Sequence, residues 1–354
     1  MIKDDQLTIG MGFIGAGMIG QLAHMFCYQQ ISSCSLTGLA ELREQLGKEV
    51  LSKQNIANYY PNHLELLKNP DINAVAVVTR RHATGQIVLD ALNAGKHVLS
   101  EKPMAHTLEQ SIQLVEAARK NNLIYSVGYM KRYDPGVIFA RQLIREAINE
   151  GYWGDLQSVH CYSYGGNFAP GYQQGHDFLM TDENRPDGLV LWPIAPDWLE
   201  PQLHERYAWF LNVFCHDINL VRYLIDGKHQ LQSANFGEST YALLMTANNI
   251  NISYDFIEQD SSAWTEGIQI NFKSASLLIQ LPAPLDKNNT ARVYVLKDGN
   301  KEALTYPDHT WAFQNQALYF IDTILNNNKN TLNSGEDSLE DMRLIEQIWR
   351  FYKG

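Results

Sequence analysis

The sequence predicts an α/β protein in two parts. An N-terminal Rossmann domain, a doubly wound parallel sheet, covers residues 1–130, and an α/β domain with an open, largely antiparallel sheet covers 131–354. Three observations carry this. The chain opens with Gly12-Phe13-Ile14-Gly15-Ala16-Gly17-Met18-Ile19-Gly20, a glycine fingerprint set between an apolar run and a helical pattern. Apolar runs and helical patterns then alternate to about residue 130. Past residue 150 short alternating strands follow one another with few helices between them.

The elements justify this in order. Leu7–Ile14 is short, apolar and glycine-interrupted, as a buried parallel strand is. Gly15, Gly17 and Gly20 satisfy G-x-G-x-x-G: the first allows the tight turn, the second lets backbone approach a pyrophosphate, and the third lets the next helix pack on the strand. Ile19, Leu22, Ala23 and Phe26, at i, i+3, i+4 and i+7, predict one apolar face of that helix. Its N-terminus, with Gly15, Ala16, Gly17, Met18 and Ile19, is the expected phosphate cradle. The run Leu36–Ala40 ends at Glu41, 21 residues after Gly20, where a carboxylate binds adenosine ribose hydroxyls. Its charge repels a 2′-phosphate and favours NAD. Arg43 reads as a solvated helix-surface charge or as the acceptor of such a phosphate, which keeps NADP as the alternative.

Helical patterns cover Leu42–Lys53 and Asn62–Lys68, and the strand Ile72–Thr79 follows. A helix over Thr84–Ala94 closes at Gly95, a C-cap residue. Then come the strand His97–Glu101, the helix Leu108–Asn121 and the strand Ile124–Met130. Such alternation implies right-handed βαβ units, which bind ligands at the carboxyl ends of their strands. Thr79, Arg80, Arg81, His82, Glu101, Lys102 and the run Tyr129–Arg132 stand at those ends. Thr79, Arg80, His82, Glu101 and Lys102 are expected on the cofactor. Tyr129, Lys131 and Arg132 are expected on the substrate, with the cofactor as the alternative for Lys131 and Arg132 and a paired surface charge as the plain alternative for Lys131.

After a helix over Pro135–Glu150 come the strands Gln157–Tyr164, Ile250–Phe256, Glu266–Phe272, Ser276–Leu281 and Arg292–Leu296, then helices over Ala312–Asn326 and Ser338–Tyr352. All seven tryptophans lie in this half, at 153, 192, 198, 209, 264, 311 and 349. Aromatic faces suit sugar and polyol rings, but most of the seven read as core or interface. Gly165–His204 has little periodicity and holds five of the twelve prolines, so it reads as a loop that covers substrate, touches another subunit or merely decorates the surface. Asn212, His216 and Asn219 share one face of a helix over Asn212–Leu224. Two amides and an imidazole are costly to bury unless they bind something, which makes His216 a candidate functional residue.

The chain has 354 residues, 45% of them apolar and 19% charged, with a net charge of −11. That charge argues against nucleic acid and anionic membrane as partners. No apolar run approaches the length of a membrane span. The polar start, residues 1–6, does not read as a signal peptide. Four cysteines without C-x-x-C spacing suggest reduced thiols in a cytoplasmic protein and no metal site. No internal repeat or low-complexity segment is evident.

The sequence resembles the glucose–fructose oxidoreductase/inositol dehydrogenase (Gfo/Idh/MocA) family. The resemblance rests on the glycine fingerprint, on Glu101-Lys102-Pro103, on the run from Val127 to Pro135, on His216-Asp217-Ile218-Asn219-Leu220 and on Asn333-Ser334-Gly335-Glu336-Asp337. It implies hydride transfer between NAD(P) and a hydroxyl carbon of a sugar, inositol or related polyol. It also implies a homodimer or homotetramer assembled through the open sheet. The family's catalytic lysine falls on Lys102 and its catalytic histidine on His216. His216 is then the general base, Lys102 stabilises the developing alkoxide, and Asn212 orients a neighbouring hydroxyl. The family usually has aspartate four residues before the histidine and often another three after it, where this chain has Asn212 and Asn219. An amide keeps hydrogen bonds but holds no charge. Those departures keep two other functions in view: a dinucleotide-binding regulator without turnover, and an NAD-dependent glycosidase.

Overall fold

The computed structural model describes residues 8–184, 189–329 and 331–353. The sequence readings of residues 1–7 and of loop residues 185–188 fall outside the described residues. Two compact units are present. The first comprises the described parts of Met1–Tyr129, Tyr172–Trp198 and Phe313–Glu340, and the second those of Met130–Gly171, Leu199–Ala312 and Asp341–Gly354. The stretches 172–198 and 313–340, which follow residue 130 in sequence, thus cluster with the first unit.

Among the described residues of the first unit, β1 (Ile9–Ile14), β2 (Cys34–Ala40), β3 (Asn58–Tyr60), β4 (Ala74–Val77), β5 (His97–Ser100) and β6 (Tyr125–Val127) form a sheet in the order β3-β2-β1-β4-β5-β6. Every pairing in it is parallel. The connections carry α1 (Phe26–Tyr28), α2 (Glu44–Lys53), α3 (His63–Leu67), α4 (Arg81–Asn93) and α5 (Leu108–Lys120). β1 and β4 are buried along their whole length, as an internal strand covered on both faces must be. Strand order reverses between β1 and β4, which places the ligand crevice at their carboxyl ends. Local signals fix the boundaries: Asn62 caps α3 by accepting from the N–H of Glu65 (3.0 Å), and Thr107 with Gln110 forms a capping box on α5.

The segment after the glycine fingerprint departs from expectation. Gly20–Met25 is π-helical and leads into the short α1. A π turn is wider than an α turn, so each later side chain rotates off the face that 3.6-residue spacing predicts. Phe26, expected on the apolar face, is 37% exposed, whereas His24 is 3% exposed.

In the second unit α6 (Pro135–Glu150) precedes β7 (Leu156–Gly165) and α7 (His204–Leu224). β8 (Gln230–Phe236), β9 (Thr240–Ala247), β10 (Ile250–Ile257), β11 (Thr265–Phe272), β12 (Ser276–Gln280), β13 (Arg292–Lys297) and β14 (Asn300–Leu304) follow. Among the described residues these strands form a sheet in the order β14-β13-β12-β11-β7-β10-β9-β8. All its pairs are antiparallel except β7 with β10. The core on its buried face is aromatic: Phe214 stacks on Phe256 at 4.4 Å between centroids, and Phe210 meets Tyr241 edge-on at 5.1 Å. The chain ends with α8 (Ala312–Leu325) and α9 (Gly335–Lys353). Trp349 on α9 is fully buried against Phe210, and Trp153 and Trp311 are buried as well, while Trp209 is 46% exposed.

Asp134 joins two parts of the second unit. Its carboxylate accepts from the N–H groups of Gly136 and Val137, capping α6, and from the N–H of Ala291 ahead of β13. We expect Asp134→Ala to lower stability by about 2 kcal/mol in urea denaturation, with Asp134→Asn less damaging. Burial raises the Asp134 carboxyl to about 6, against the N–H bonds that lower it. A carboxyl raised in the folded state stabilises most below its unfolded value, near 3.8, and that contribution is lost as pH rises through about 6. Asp134→Asn should therefore gain on wild type between pH 4 and 7; a difference that is flat over that range contradicts the assignment.

Candidate active site

The site in the first unit is built from backbone. Val78 N–H donates to Ile14 O (2.9 Å) and Gly15 N–H to Ala40 O (2.8 Å), which draws the end of β1 between β4 and β2. Gly15 turns at φ +100°, and a Cβ there would lie 2.2 Å from Val78 O. Gly17, by contrast, faces open space: a Cβ would meet nothing within 4 Å. Beyond it lies a cavity of about 320 Å³, lined by Gly15, Gly17, Met18, Ile19, Glu41, Arg43, Thr79 and Arg80 among others, with Leu189 contributed by the long loop. Ala16, His82, Glu101 and Lys102 do not line it. Ala16 is fully buried and its N–H donates to Glu41 (2.9 Å).

Glu41 and Arg43 form one unit. Arg43 Nε and Nη2 donate to the two Glu41 oxygens at 2.9 and 3.0 Å, and both side chains are over nine-tenths buried. Burial pushes the Glu41 carboxyl up, but Arg43 and the Ala16 N–H outweigh it and hold it below its ordinary value. Arg43 is therefore not the solvated helix-surface charge that its sequence position suggests; it sits at the N-cap of α2, turned back onto Glu41. The Gly17–Ile19 turn and the fixed Glu41–Arg43 pair line one cavity, a setting that fits a dinucleotide.

Glu101 follows β5, and its carboxylate accepts from His24 Nε2 (2.8 Å) and from the N–H of Lys102 (3.2 Å). Gly128 packs closely on it: a Cβ would be 3.3 Å from Glu101 Oε1 and 3.1 Å from Ser100 O. Sequence reasoning missed His24, because only the π turn brings that side chain inward. Tyr129 is buried in this unit and its carbonyl accepts from Asn333 Nδ2 (2.8 Å). Thr79 Oγ1 lies 3.1 Å from Thr84 Oγ1, and the His82 ring stacks on His106.

The remaining candidates belong to the second unit. His216 is buried on α7 and Asn212 is half-buried one turn before it. Asn219 Nδ2 donates to Asp341 Oδ2 (2.7 Å), while Arg222 holds the other Asp341 oxygen (2.6 Å). The burial of the Asn219 amide is thus balanced inside the protein, not by a ligand as the sequence argument supposed. Arg132 donates to Asn219 O (3.0 Å) and lies over the Tyr223 ring. Lys131 is 7% exposed and pairs with Glu266, so it is not a surface charge; Trp264 Nε1 holds the other Glu266 oxygen (3.0 Å). Burial would lower the Lys131 ammonium, but Glu266 and Asp217 outweigh it and hold it above its ordinary value. Asp217, buried beside Cys161, is raised well above the carboxylate range by burial and by the Glu266 charge. Among the described residues no group of three or more His, Cys, Asp or Glu is arranged to hold a metal ion. None of their helices is long and apolar enough to cross a membrane.

A parallel sheet with a glycine cradle, an acid closing β2 and a lysine following β5 defines the class of dinucleotide-binding Rossmann proteins. Comparison with known proteins narrows this. Residues 9–129 match the profile of the oxidoreductase family with an NAD-binding Rossmann fold. An inositol 2-dehydrogenase of Pseudomonas fluorescens is 28% identical over 200 residues, covering 56% of this chain and 58% of that one. An inositol 2-dehydrogenase/D-chiro-inositol 3-dehydrogenase of Halalkalibacterium halodurans is 28% identical over 236 residues, covering 66% and 58%. The chain therefore spans little more than half the length of these relatives. Among solved structures, a 3-ketoreductase from Actinomadura kijaniata in complex with NADP and TDP-benzene matches with a TM-score of 0.77 at 17% identity, over 97% of this chain and 98% of that one. The apo scyllo-inositol dehydrogenase of Lactobacillus casei gives 0.71 at 19%, over 98% and 97%. At those identities the likeness is one of fold. Residues 9–129 thus match the NAD-binding Rossmann domain of the Gfo/Idh/MocA oxidoreductases.

The two glycines separate fold from binding. Gly15→Ala should destabilise the protein by about 2 kcal/mol or more, through its positive φ and the contact with Val78 O. Gly17→Ala should leave thermal stability nearly unchanged and weaken NAD binding about tenfold or more, since a methyl group there intrudes only on the cavity. Calorimetric Tm and direct NAD titration of both variants check this; a Gly17→Ala protein that binds NAD like wild type contradicts the cradle.

Proposed function

We propose that the protein is an NAD(P)-dependent dehydrogenase acting on a hydroxyl carbon of a sugar, inositol or related polyol. One observation carries the reading: the glycine cradle opens on a cavity whose acid, Glu41, is held in place, within the unit that also presents Glu101 and Lys102 after β5. The similarity to inositol 2-dehydrogenases supports a polyol as substrate class. Residues 1–130 are assigned cofactor binding, and 131–354 substrate binding and assembly into a homodimer or homotetramer. The four free cysteines suit the cytoplasm.

A bound nicotinamide supplies the hydride acceptor or donor at its C4. The chain supplies the rest. Gly17 to Ile19 present N–H groups to the phosphates, Gly15 and Ala16 shape the turn with their N–H groups held by Ala40 and Glu41, and Glu41 takes ribose hydroxyls. Thr79, Arg80 and His82 serve the cofactor at the end of β4, and Glu101 supports Lys102 through the backbone N–H. In oxidation His216 takes the proton of the substrate hydroxyl on an imidazole nitrogen, and imidazole exchanges protons near neutral pH. Lys102 donates a hydrogen bond from Nζ to the same oxygen and stabilises its developing charge. Asn212 orients an adjacent hydroxyl through its amide. Tyr129, Lys131 and Arg132 are assigned to the substrate, with Lys131 paired to Glu266 and Arg132 bonded to the Asn219 carbonyl.

The test is turnover of NAD and NADP, read by absorbance of the reduced nicotinamide, across inositols, aldoses and glycosides. We expect Lys102→Ala and His216→Ala each to lower kcat by about a hundredfold or more, with NAD affinity changed less than about twofold. A Lys102→Ala enzyme that turns over at the wild-type rate overturns the assignment. Dinucleotide binding without any turnover would favour a regulator, and aglycone release without net reduction a glycosidase.

A further inference from the structure

The stretch Tyr172–Trp198 shows little sequence pattern, yet within the first unit it is fastened around the dinucleotide site. Gln21, on the π turn, holds Leu179 from both sides: Gln21 Oε1 accepts the Leu179 N–H (2.8 Å) and Gln21 Nε2 donates to Leu179 O (2.9 Å). Trp192 lies on Gly85, where a Cβ would come within 2.3 Å of the indole, and its N–H donates to Gln86 (3.0 Å). Leu189 lines the cavity. Between these anchors the Glu183 carboxylate accepts the N–H groups of Gln45 and Leu46, each at 2.9 Å, and the Thr181 hydroxyl at 2.9 Å.

Gln45 and Leu46 carry free donors of the first turn of α2, whose N-cap is Arg43. In Rossmann sites the 2′-phosphate that distinguishes NADP from NAD is received just past the acid that ends the second strand, by a cation there. Helix N-termini add an attraction for anions. Here both attractions are already satisfied from within. Arg43 is gripped by Glu41 through two hydrogen bonds, and the helix donors are taken by Glu183. Two carboxylates, Glu41 and Glu183, stand beside the Arg43 guanidinium where a 2′-phosphate would bring further negative charge.

We infer that Glu183 is a specificity-determining residue: the loop segment carries an internal anion onto the first turn of α2, where it excludes the 2′-phosphate of NADP and makes the site select NAD. The inference rests on the reading of the first unit as a dinucleotide site. It concerns a position 142 residues beyond Glu41, in a segment with no dinucleotide motif of its own. The Gln45 N–H, then those of Leu46 and the Thr181 hydroxyl, with Arg43, hold the Glu183 carboxyl below its ordinary value, so it is ionised at neutral pH.

The experiment is direct titration of the full-length protein with NAD and with NADP, for wild type, Glu183→Gln and Gln21→Ala. Tm is measured on each to establish folding. Wild type should bind NAD in preference to NADP. Glu183→Gln should tighten NADP about five- to tenfold while NAD changes less than about twofold, the scale of removing one like charge beside a partly exposed anion. Gln21→Ala, which loosens the loop but keeps the charge, should move both affinities together. An unchanged NADP-to-NAD ratio in Glu183→Gln, or an equal ratio change in Gln21→Ala, overturns the inference while leaving the dinucleotide reading intact. Wild-type protein that binds neither dinucleotide overturns that reading and the inference with it.

Discussion

The first unit depends on how closely backbone approaches backbone around β1. A Cβ at Gly10 would lie 1.9 Å from Asp71 O, and one at Gly15 would lie 2.2 Å from Val78 O. No side chain fits at either place, so β1 can sit between β2 and β4 at full hydrogen-bonding distance on both sides. Because β1 lies at the point where strand order reverses, the turn leaving it opens into the crevice. Packing makes the glycines obligatory on the strand side. Gly17 stands apart, since packing does not require it, and the need there is for something that comes close from outside.

Around this backbone frame both units solve the same electrostatic problem. A buried charge is costly unless it is paired and its remaining hydrogen bonds are satisfied. Glu41 with Arg43 in the first unit, and Lys131 with Glu266 and Arg222 with Asp341 in the second, meet both conditions. In each case a further donor completes the set: the Ala16 N–H on Glu41, the Trp264 indole on Glu266 and the Asn219 amide on Asp341. Such networks add little net stability over an apolar core, but breaking one partner is severe, and their geometry is well defined. They hold the surroundings of the candidate residues in fixed positions, which polar groups at a reacting centre require.

Much of the first unit is legible in sequence because its signals are local. The glycine spacing, the left-handed Gly95 that closes α4 and the apolar runs of β1, β4 and β5 are each readable within a few residues. What escapes is whatever distant partners decide. β3 has three residues, and β14 is polar and carries Lys301 and Glu302, as an edge strand does. β9 hides its alternation behind the apolar run Leu243–Met245, although its burial alternates. The π turn has no signature in residue types, so the periodicity argument places Phe26 inward and overlooks His24. The partners of Gln21 and Glu183 lie 158 and 138 residues away, beyond the reach of any spacing rule. The burial of Arg43 was equally invisible, since an arginine at a helix start is usually solvated and only its turn back onto Glu41 makes it otherwise.

The same electrostatic constraint acts at position 219, where the family resemblance leads one to expect an aspartate. Asp341 is fully buried, and Asn219 and Arg222 divide its two oxygens between them. An aspartate at 219 would set a second carboxylate 2.7 Å from the first, beside Arg222. Two buried carboxylates at that distance cannot both ionise, so one would have to hold a proton at neutral pH. The amide avoids this by supplying a donor of the same shape. The carboxylate is thereby kept in the network but carried by α9 instead of α7, 122 residues further along the chain. Asn219 is accounted for by its bond to Asp341 within the second unit.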